Sequence, residues 1–347
     1  MNKEIRELID REIQLAHIPG AVLTISLKDQ IIYKEAFGYR TVYPSQKEMN
    51  IGTMFDLASL TKIVATLPAV LTLIEKGKLL LRDKISNFIP DFAQNNKEDI
   101  TIFHLLTHTS GLPAHRSFYI ENLTTDQIIE WICNEQLDAP VGQKVIYSDL
   151  GFILLYKIIE ITAQQPFPAF VKREILEPLE MKNTLFCPAD VTNIAATEFC
   201  RRRNQYKLGI VHDDNTDSMG GISGHAGLFS TAEDLSKFAR MIENNGVYEG
   251  NRLFSEAIMR LTKMNHTPFA NDFRGLGWQL QHRLTASCGE LFTAKSYGHT
   301  GFTGTSIWFD PEIKLYVIFL TNRVHFGRQD WILRLRPVLH NLIRSQF

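Results

Sequence analysis

A serine and a lysine three positions apart open a long apolar run, in the string Ser59-Leu60-Thr61-Lys62. Positions i and i+3 share a helix face, so the amine of Lys62 can lie beside the hydroxyl of Ser59. A serine is a poor nucleophile until a base takes its proton. A lysine serves as that base only where burial or nearby positive charge holds it neutral. A helix N-terminus adds positive potential beneath Ser59, which favours a developing oxyanion. The pair points to attack on a carbonyl through an acyl-enzyme. Such a short string recurs by chance, so it needs partners elsewhere in the chain.

Two further strings supply candidates. Tyr147-Ser148-Asp149 lies between the loop-like APVGQ and the helical pattern LGFILLYKIIEIT. A turn before a helix presents side chains to a cleft, and a tyrosine beside Lys62 can shuttle protons. The plainer alternative makes Tyr147 a rim aromatic and Asp149 a helix N-cap. His299-Thr300-Gly301 falls on or beside a strand near the C-terminal end. Gly301 lets a substrate backbone lie close to the strand. The amide of Phe302, with that of Ser59, then supplies the two donors of an oxyanion hole. The plainer alternative leaves His299 a half-buried strand residue. Gly224 and His225, in a glycine-rich stretch, are candidates for a mobile wall of the cleft, or for a connection shaped by turns. His104 and His108 have i, i+4 spacing without the glutamate of an HExxH zinc helix, so they are expected to be structural. No metal or cofactor is expected.

The elements that must position these residues follow from periodicity. Residues 2–17 carry Ile5, Leu8, Ile9, Ile13 and Ala16 at helical spacing, stopped by Pro19 and Gly20. AVLTISL and IIYKEAFGY form a hairpin pattern about Lys28, Asp29 and Gln30. Residues 59–76 form an apolar helix that Pro68 should kink or split. IFHLLTH, DQIIEWICNE, LGFILLYKIIEIT and FPAFVKREIL are helical, residues 201–224 a long loop, and Ser230-Thr231-Ala232-Glu233 has the spacing of a capping box. GLGWQLQ, ELFTAKSYG, TSIWFD and KLYVIFLTN are expected as strands, and residues 329–345 as a closing helix. Strands at both ends with helices between predict an α+β fold: one antiparallel sheet, flanked by terminal helices, with an inserted mainly helical subdomain. We expect one catalytic domain over 1–347, its α/β part about 1–58 and 228–347 and its helical part about 59–227.

Composition excludes several classes. With 37 basic and 38 acidic residues the formal charge is -1, which gives nucleic acid or an anionic membrane surface no purchase. Cys133, Cys187, Cys200 and Cys288 form no CxxC pair and are expected as reduced structural thiols. No stretch of 18 uncharged apolar residues exists, so no membrane span is expected, and the N-terminus lacks the apolar core of a signal peptide. The expected location is cytoplasmic as the chain is written, or exported if a leader has been removed. The expected partner is a small or peptide-like substrate with an amide or ester bond.

The order of the three strings resembles the serine β-lactamase and penicillin-binding protein superfamily, nearest its class C-like branch. HLLTHTSGLP at 104–113, GLFSTAEDLSKFARM at 227–241, GLGW at 275–278 and FLTNRVH at 319–325 carry the likeness over roughly 20–340. The resemblance implies a β-lactamase/transpeptidase-like fold, with Ser59 as nucleophile, Lys62 and Tyr147 as its proton-transfer partners, and Asp149, His299, Thr300 and Gly301 binding substrate. Asp149 stands where a β-lactamase has Asn, and His299 where it has Lys. An Asp repels anions and a neutral His attracts them less than Lys, which disfavours efficient β-lactam hydrolysis. With VHDDNTDSMGGISGHAGLFST at 211–231, the likeness runs toward cell-wall amidases and low-molecular-mass penicillin-binding proteins. It implies a peptidoglycan-type amidase or peptidase. The alternatives are a carboxylesterase, a β-lactamase, or a sensor of cell-wall fragments or penicillin without turnover.

Overall fold

The computed structural model describes residues 2–121, 123–283 and 285–347. The expected hairpin forms from β1 (Gly20–Leu27) and β2 (Gln30–Thr41). Lys28 and Asp29, at φ 52° and 64°, make the mirror-image turn that matches the twist of paired strands. The remaining strands of the main sheet are β3 (Lys47–Glu48), β4 (Gln279–Leu280), β5 (Tyr297–Thr300), β6 (Ser306–Asp310) and β7 (Leu315–Thr321). The order across the sheet is β4-β5-β6-β7-β1-β2-β3, with every pairing antiparallel. The two ends of the chain meet where β1 lies along β7, Ala21 opposite Thr321 and Leu27 opposite Leu315.

Alternation along the central strands feeds two cores. Ala21, Leu23, Ile25, Val317 and Phe319 face the terminal helices α1 (Asn2–Gln14) and α5 (Trp331–Arg344), where they meet Ile5, Ile9, Ile332, Leu335 and Leu339. Val22, Ile307, Phe309, Ile318 and Leu320 face the inserted helices. Because both faces are covered, β7 is buried along its whole length, and this is why its sequence is a continuous apolar run.

The helical part holds α2 (Leu67–Glu75) and α3 (Asp149–Ala163) among other segments, and α4 (Ala232–Glu243) packs on β1 and β7. The predicted 59–76 helix is not split at Pro68; it is continuous but changes its hydrogen-bonding type before the proline, which falls in the first turn of α2. A 3₁₀ turn, Ala58–Leu60, leads into a π segment, Lys62–Thr66, and only then into α2. This run is apolar enough to cross a membrane, but it is mostly buried inside the protein.

Four expectations need correction. Of GLGWQLQ only Gln279–Leu280 is strand, and of ELFTAKSYG only its end, from Tyr297. The 201–224 loop contains part of a small hairpin, Phe199–Cys200 with Gln205–Tyr206, and a short helix, Asp214–Ser218. Asp213 starts that helix by accepting the Thr216 amide on its side chain, a capping signal that the surrounding glycines obscure. The N-cap of α4 is Thr231, which accepts the Asp234 amide, and not Ser230.

Candidate active site

The turn that carries Ser59 is clamped from several sides. Ala58 takes a left-handed backbone, φ 46°, which a non-glycine residue adopts only when its surroundings impose it. Asp56 imposes it in part: one carboxylate oxygen accepts the Ala58 amide at 2.8 Å and the other the His212 amide at 2.6 Å. Burial raises the Asp56 pKa against these two bonds. The Thr303 hydroxyl donates to the Asp56 carbonyl at 2.8 Å and the Thr305 hydroxyl to that of Leu57 at 3.0 Å. Asp56, Thr303 and Thr305 do not emerge from the sequence, because none belongs to a recognisable catalytic spacing.

One helical turn beyond Ser59, Lys62 is fully buried. Its Nζ donates to Ser59 Oγ at 2.9 Å, to Asp149 Oδ1 at 2.7 Å and to the His225 carbonyl at 3.3 Å. Burial works against the charge on Lys62, but Asp149 and Tyr147 outweigh it and raise the amine's pKa. Lys62 is therefore an ammonium in the resting protein. Burial also opposes ionisation of Asp149; the Lys62 charge and a hydrogen bond from His115 overcome it and hold the carboxyl far below the usual range. Asp149 is thus an ion-pair partner and not the N-cap of α3. Ser148 caps that helix by backbone position alone.

The 147–149 turn rests on the HLLTHTSGLP segment. The Ser148 amide donates to Nδ1 of buried His108 at 3.1 Å, and its hydroxyl to the Pro113 carbonyl at 2.6 Å. The Asp149 amide donates to the Ala114 carbonyl at 3.0 Å. Burial pushes His108 well below the usual histidine pKa, so it stays a neutral acceptor. The ring of Tyr147 packs on His108 at 4.5 Å, with Lys62 Nζ 4.8 Å and the Arg274 guanidinium 5.3 Å from its centre. Arg274 has no motif to announce it and is positioned only by the fold.

Strand β5 forms the opposite wall. His299 is buried, with Nδ1 on the Thr300 carbonyl at 2.9 Å and Nε2 without a partner among the described residues. Burial first, then the Lys62 and Arg274 charges, bring its pKa down to about 3, so it is neutral here. Thr300, Gly301 and Phe302 line the cleft with Ser59, Tyr147 and Asp149. Neither the Ser59 nor the Phe302 amide donates to another group among the described residues, which leaves both for a ligand. The role of Gly301 differs from the expected one. A Cβ there would meet Thr305 Oγ1 at 2.1 Å and the Leu57 carbonyl at 2.4 Å, so glycine lets β5 close onto the Ser59 turn. Gly301→Ala is expected to cost about 1–3 kcal/mol of stability and to lower kcat/KM by about 10²-fold through misplaced donors. Thermal denaturation and steady-state kinetics on a chromogenic ester check both; wild-type kinetics would contradict this account.

The two candidates for a cleft wall separate. His225 lines the cleft, and its ring is held by Asp213 at 2.9 Å and Ser223 at 2.9 Å. Gly224 is buried behind it: a Cβ would meet the Phe152 carbonyl at 2.2 Å, so this glycine serves close helix packing and not a mobile wall. The whole cleft is about 780 Å³. Asp149, Asp213 and Asp214 line it together with Arg323, Arg328 and Arg336, and Arg328 lies 3.8 Å from the Asp214 carboxylate. Among the described residues, no group of histidines, cysteines and carboxylates is arranged to hold a metal ion.

The family model for beta-lactamase matches residues 5–338. The chain belongs to the beta-lactamase family. It is 33% identical to an N-acetylmuramyl-L-alanine amidase of Bacillus subtilis (strain 168), over 93% of this chain and 81% of that protein. It is also 33% identical to a putative D-alanyl-D-alanine carboxypeptidase of Escherichia coli (strain K12), over 88% of this chain and 79% of that one. Among solved structures, EstCE1, a hydrolase with promiscuous acyltransferase activity, superimposes with a TM-score of 0.80 at 23% identity, covering 98% of each chain. That likeness bears on the β-lactamase/transpeptidase-like fold, and the family match makes this chain a hydrolase of the serine type.

Proposed function

We propose that this protein hydrolyses an amide bond of a peptidoglycan-derived substrate through an acyl-enzyme on Ser59. The observation that carries the reading is the contact of Ser59 Oγ with Lys62 Nζ at 2.9 Å, at the edge of a cleft lined by Tyr147 and the 299–302 strand. Ser59 Oγ attacks the carbonyl. Lys62, already an ammonium, donates to the attacking oxygen, so the proton of Ser59 passes to the Tyr147 oxygen as the phenol gives up its own proton to the leaving nitrogen. The amides of Ser59 and Phe302 hold the oxyanion. In the second step the same phenol takes a proton from the attacking water while passing its own to Ser59 Oγ, which leaves as the acyl group is released. Asp149 and neutral His299 present acceptors where an anionic β-lactam needs donors, which favours a substrate without a carboxylate at that point. The names of the amidase and carboxypeptidase relatives point the same way.

A panel tests the choice of substrate: nitrocefin, p-nitrophenyl esters, D-Ala-D-Ala peptides and N-acetylmuramyl peptides, assayed side by side. The muramyl peptides are expected to lead in kcat/KM by about tenfold or more, a difference of about 1.4 kcal/mol in transition-state binding. Nitrocefin as the best substrate would replace this reading with a β-lactamase. A stable penicillin adduct, with no turnover of the panel, would replace it with a sensor.

A further inference from the structure

Behind the Phe302 amide stands a charge that the mechanism above does not use. Arg336, on α5, is 4% exposed. Its Nη2 donates to the Gly301 carbonyl at 2.8 Å and the Thr305 carbonyl at 2.9 Å. Its Nε has no partner, and among the described residues no carboxylate pairs with it. Burial, and then the neighbouring charge of Arg323, lower its pKa to about 9, so it remains a cation at neutral pH. Burying an unpaired charge works against folding. The fold nevertheless sets this one against the peptide group that joins Gly301 to Phe302.

That peptide group is one planar unit, so its carbonyl and its N–H point in opposite directions. A guanidinium fixed on the Gly301 oxygen, which also accepts the Gly304 amide at 3.1 Å, therefore helps to set the direction of the Phe302 N–H. It also draws electron density from the amide, which makes the N–H a stronger donor, as in any chain of hydrogen bonds. Arg323 supports the next unit, with Nε donating to the Phe302 carbonyl at 2.9 Å and the guanidinium 4.8 Å from the Phe302 ring centre. We propose that Arg336 is the positioning residue of the oxyanion hole: through the Gly301–Phe302 peptide it aims and strengthens the Phe302 N–H toward the oxyanion. This role rests on the assignment of the Ser59 and Phe302 amides as that hole.

The test compares wild type, Arg336→Lys and Arg336→Met in the full chain. It measures kcat and KM on neutral p-nitrophenyl acetate, the inhibition constant of phenylboronic acid, and the melting temperature. Phenylboronic acid forms an anionic tetrahedral adduct on a serine, so its affinity reports the hole directly. Loss of a whole oxyanion donor costs about 10²–10³-fold, so a weakened donor in Arg336→Met is expected to cost about 10–100-fold in kcat. The boronate constant should rise by a similar factor while KM stays near wild type. Arg336→Lys keeps the charge without the planar fork and should recover most of the loss. If Arg336→Met does not fold, Arg336→Lys still decides, with an expected loss of about threefold to tenfold in both kcat and boronate affinity. Variants that melt earlier but keep wild-type kcat and boronate affinity would overturn the proposal in favour of a structural clamp. A loss confined to the KM of carboxylate-bearing substrates would overturn it in favour of an anion subsite. A wild type that a fluorophosphonate labels at Ser59 but boronate does not inhibit overturns the hole and, with it, this role; one that neither reagent touches overturns the acyl-enzyme reading itself.

Discussion

Replacing Ser59 by alanine is expected to lower kcat/KM on every substrate this protein turns over by a factor on the order of 10⁵, while the fold survives. Both halves follow from the geometry. Among the described residues, the Ser59 hydroxyl is the one held on the Lys62 amine beside the Ser59 and Phe302 amides. The stability cost is small, because Ser59 is only half-buried and contributes one hydrogen bond to Lys62. Lys62 keeps its bonds to Asp149 and to the His225 carbonyl, so the loss is about 1 kcal/mol. Circular dichroism and melting temperature check the fold, and a chromogenic ester checks turnover. A Ser59→Ala protein that hydrolyses the ester at the wild-type rate would end the mechanism.

The second large effect lies in the ion pair beneath the nucleophile. Asp149→Asn leaves a fully buried amine without its counter-charge, and breaking a buried pair in this way costs about 3–5 kcal/mol near neutral pH. Lys62→Met should cost less, because the Asp149 side chain retains 20% exposure and has His115 beside it at 3.8 Å. The pH dependence has opposite signs in wild type and Asp149→Asn. In the wild type, Asp149 is depressed and Lys62 raised, so the pair stabilises the fold between the unfolded carboxyl and amine values, about 3.9 and 10.4. That contribution is lost on the acid side as pH falls through the Asp149 value, and on the alkaline side as pH rises through that of Lys62. In Asp149→Asn, burial becomes the leading influence on Lys62 and takes its pKa below the unfolded value. The unfolded chain then binds more protons than the native one, and stability rises with pH. The gap in melting temperature between the two proteins should therefore narrow from pH 7 to pH 10. A gap that stays flat or widens would show that Asp149 does not hold Lys62 charged.

The same pair explains how far the site was legible beforehand. Residue type, spacing and order point to Ser59, Lys62, Tyr147 and the 299–302 strand, and the structure places Ser59, Tyr147 and that strand around one cleft with Lys62 buried beneath Ser59. Asp149 was named as a substrate contact or a cap, but its partner lies 87 positions away in sequence, where no periodicity connects them. Asp56, Arg274 and Arg336 carry no signal in the sequence. Each acts through a backbone group or a ring face that only folding brings near, so none leaves a spacing to find. Gly224 and Gly301 show the same limit from the other side. A glycine signals a close approach, but the chain alone does not say whether substrate, helix or turn is what approaches.

What the sequence determined by itself is local: the alternation that makes the hairpin and β7, and the i, i+3 placement of Lys62 beside Ser59. These depend on neighbours within a few residues, and bond geometry carries them directly. The protonation state of Lys62, the neutrality of His299 and the direction of the Phe302 amide were decided only by the tertiary structure. Each depends on burial and on charges from distant segments, and such energies exist only once those segments have packed.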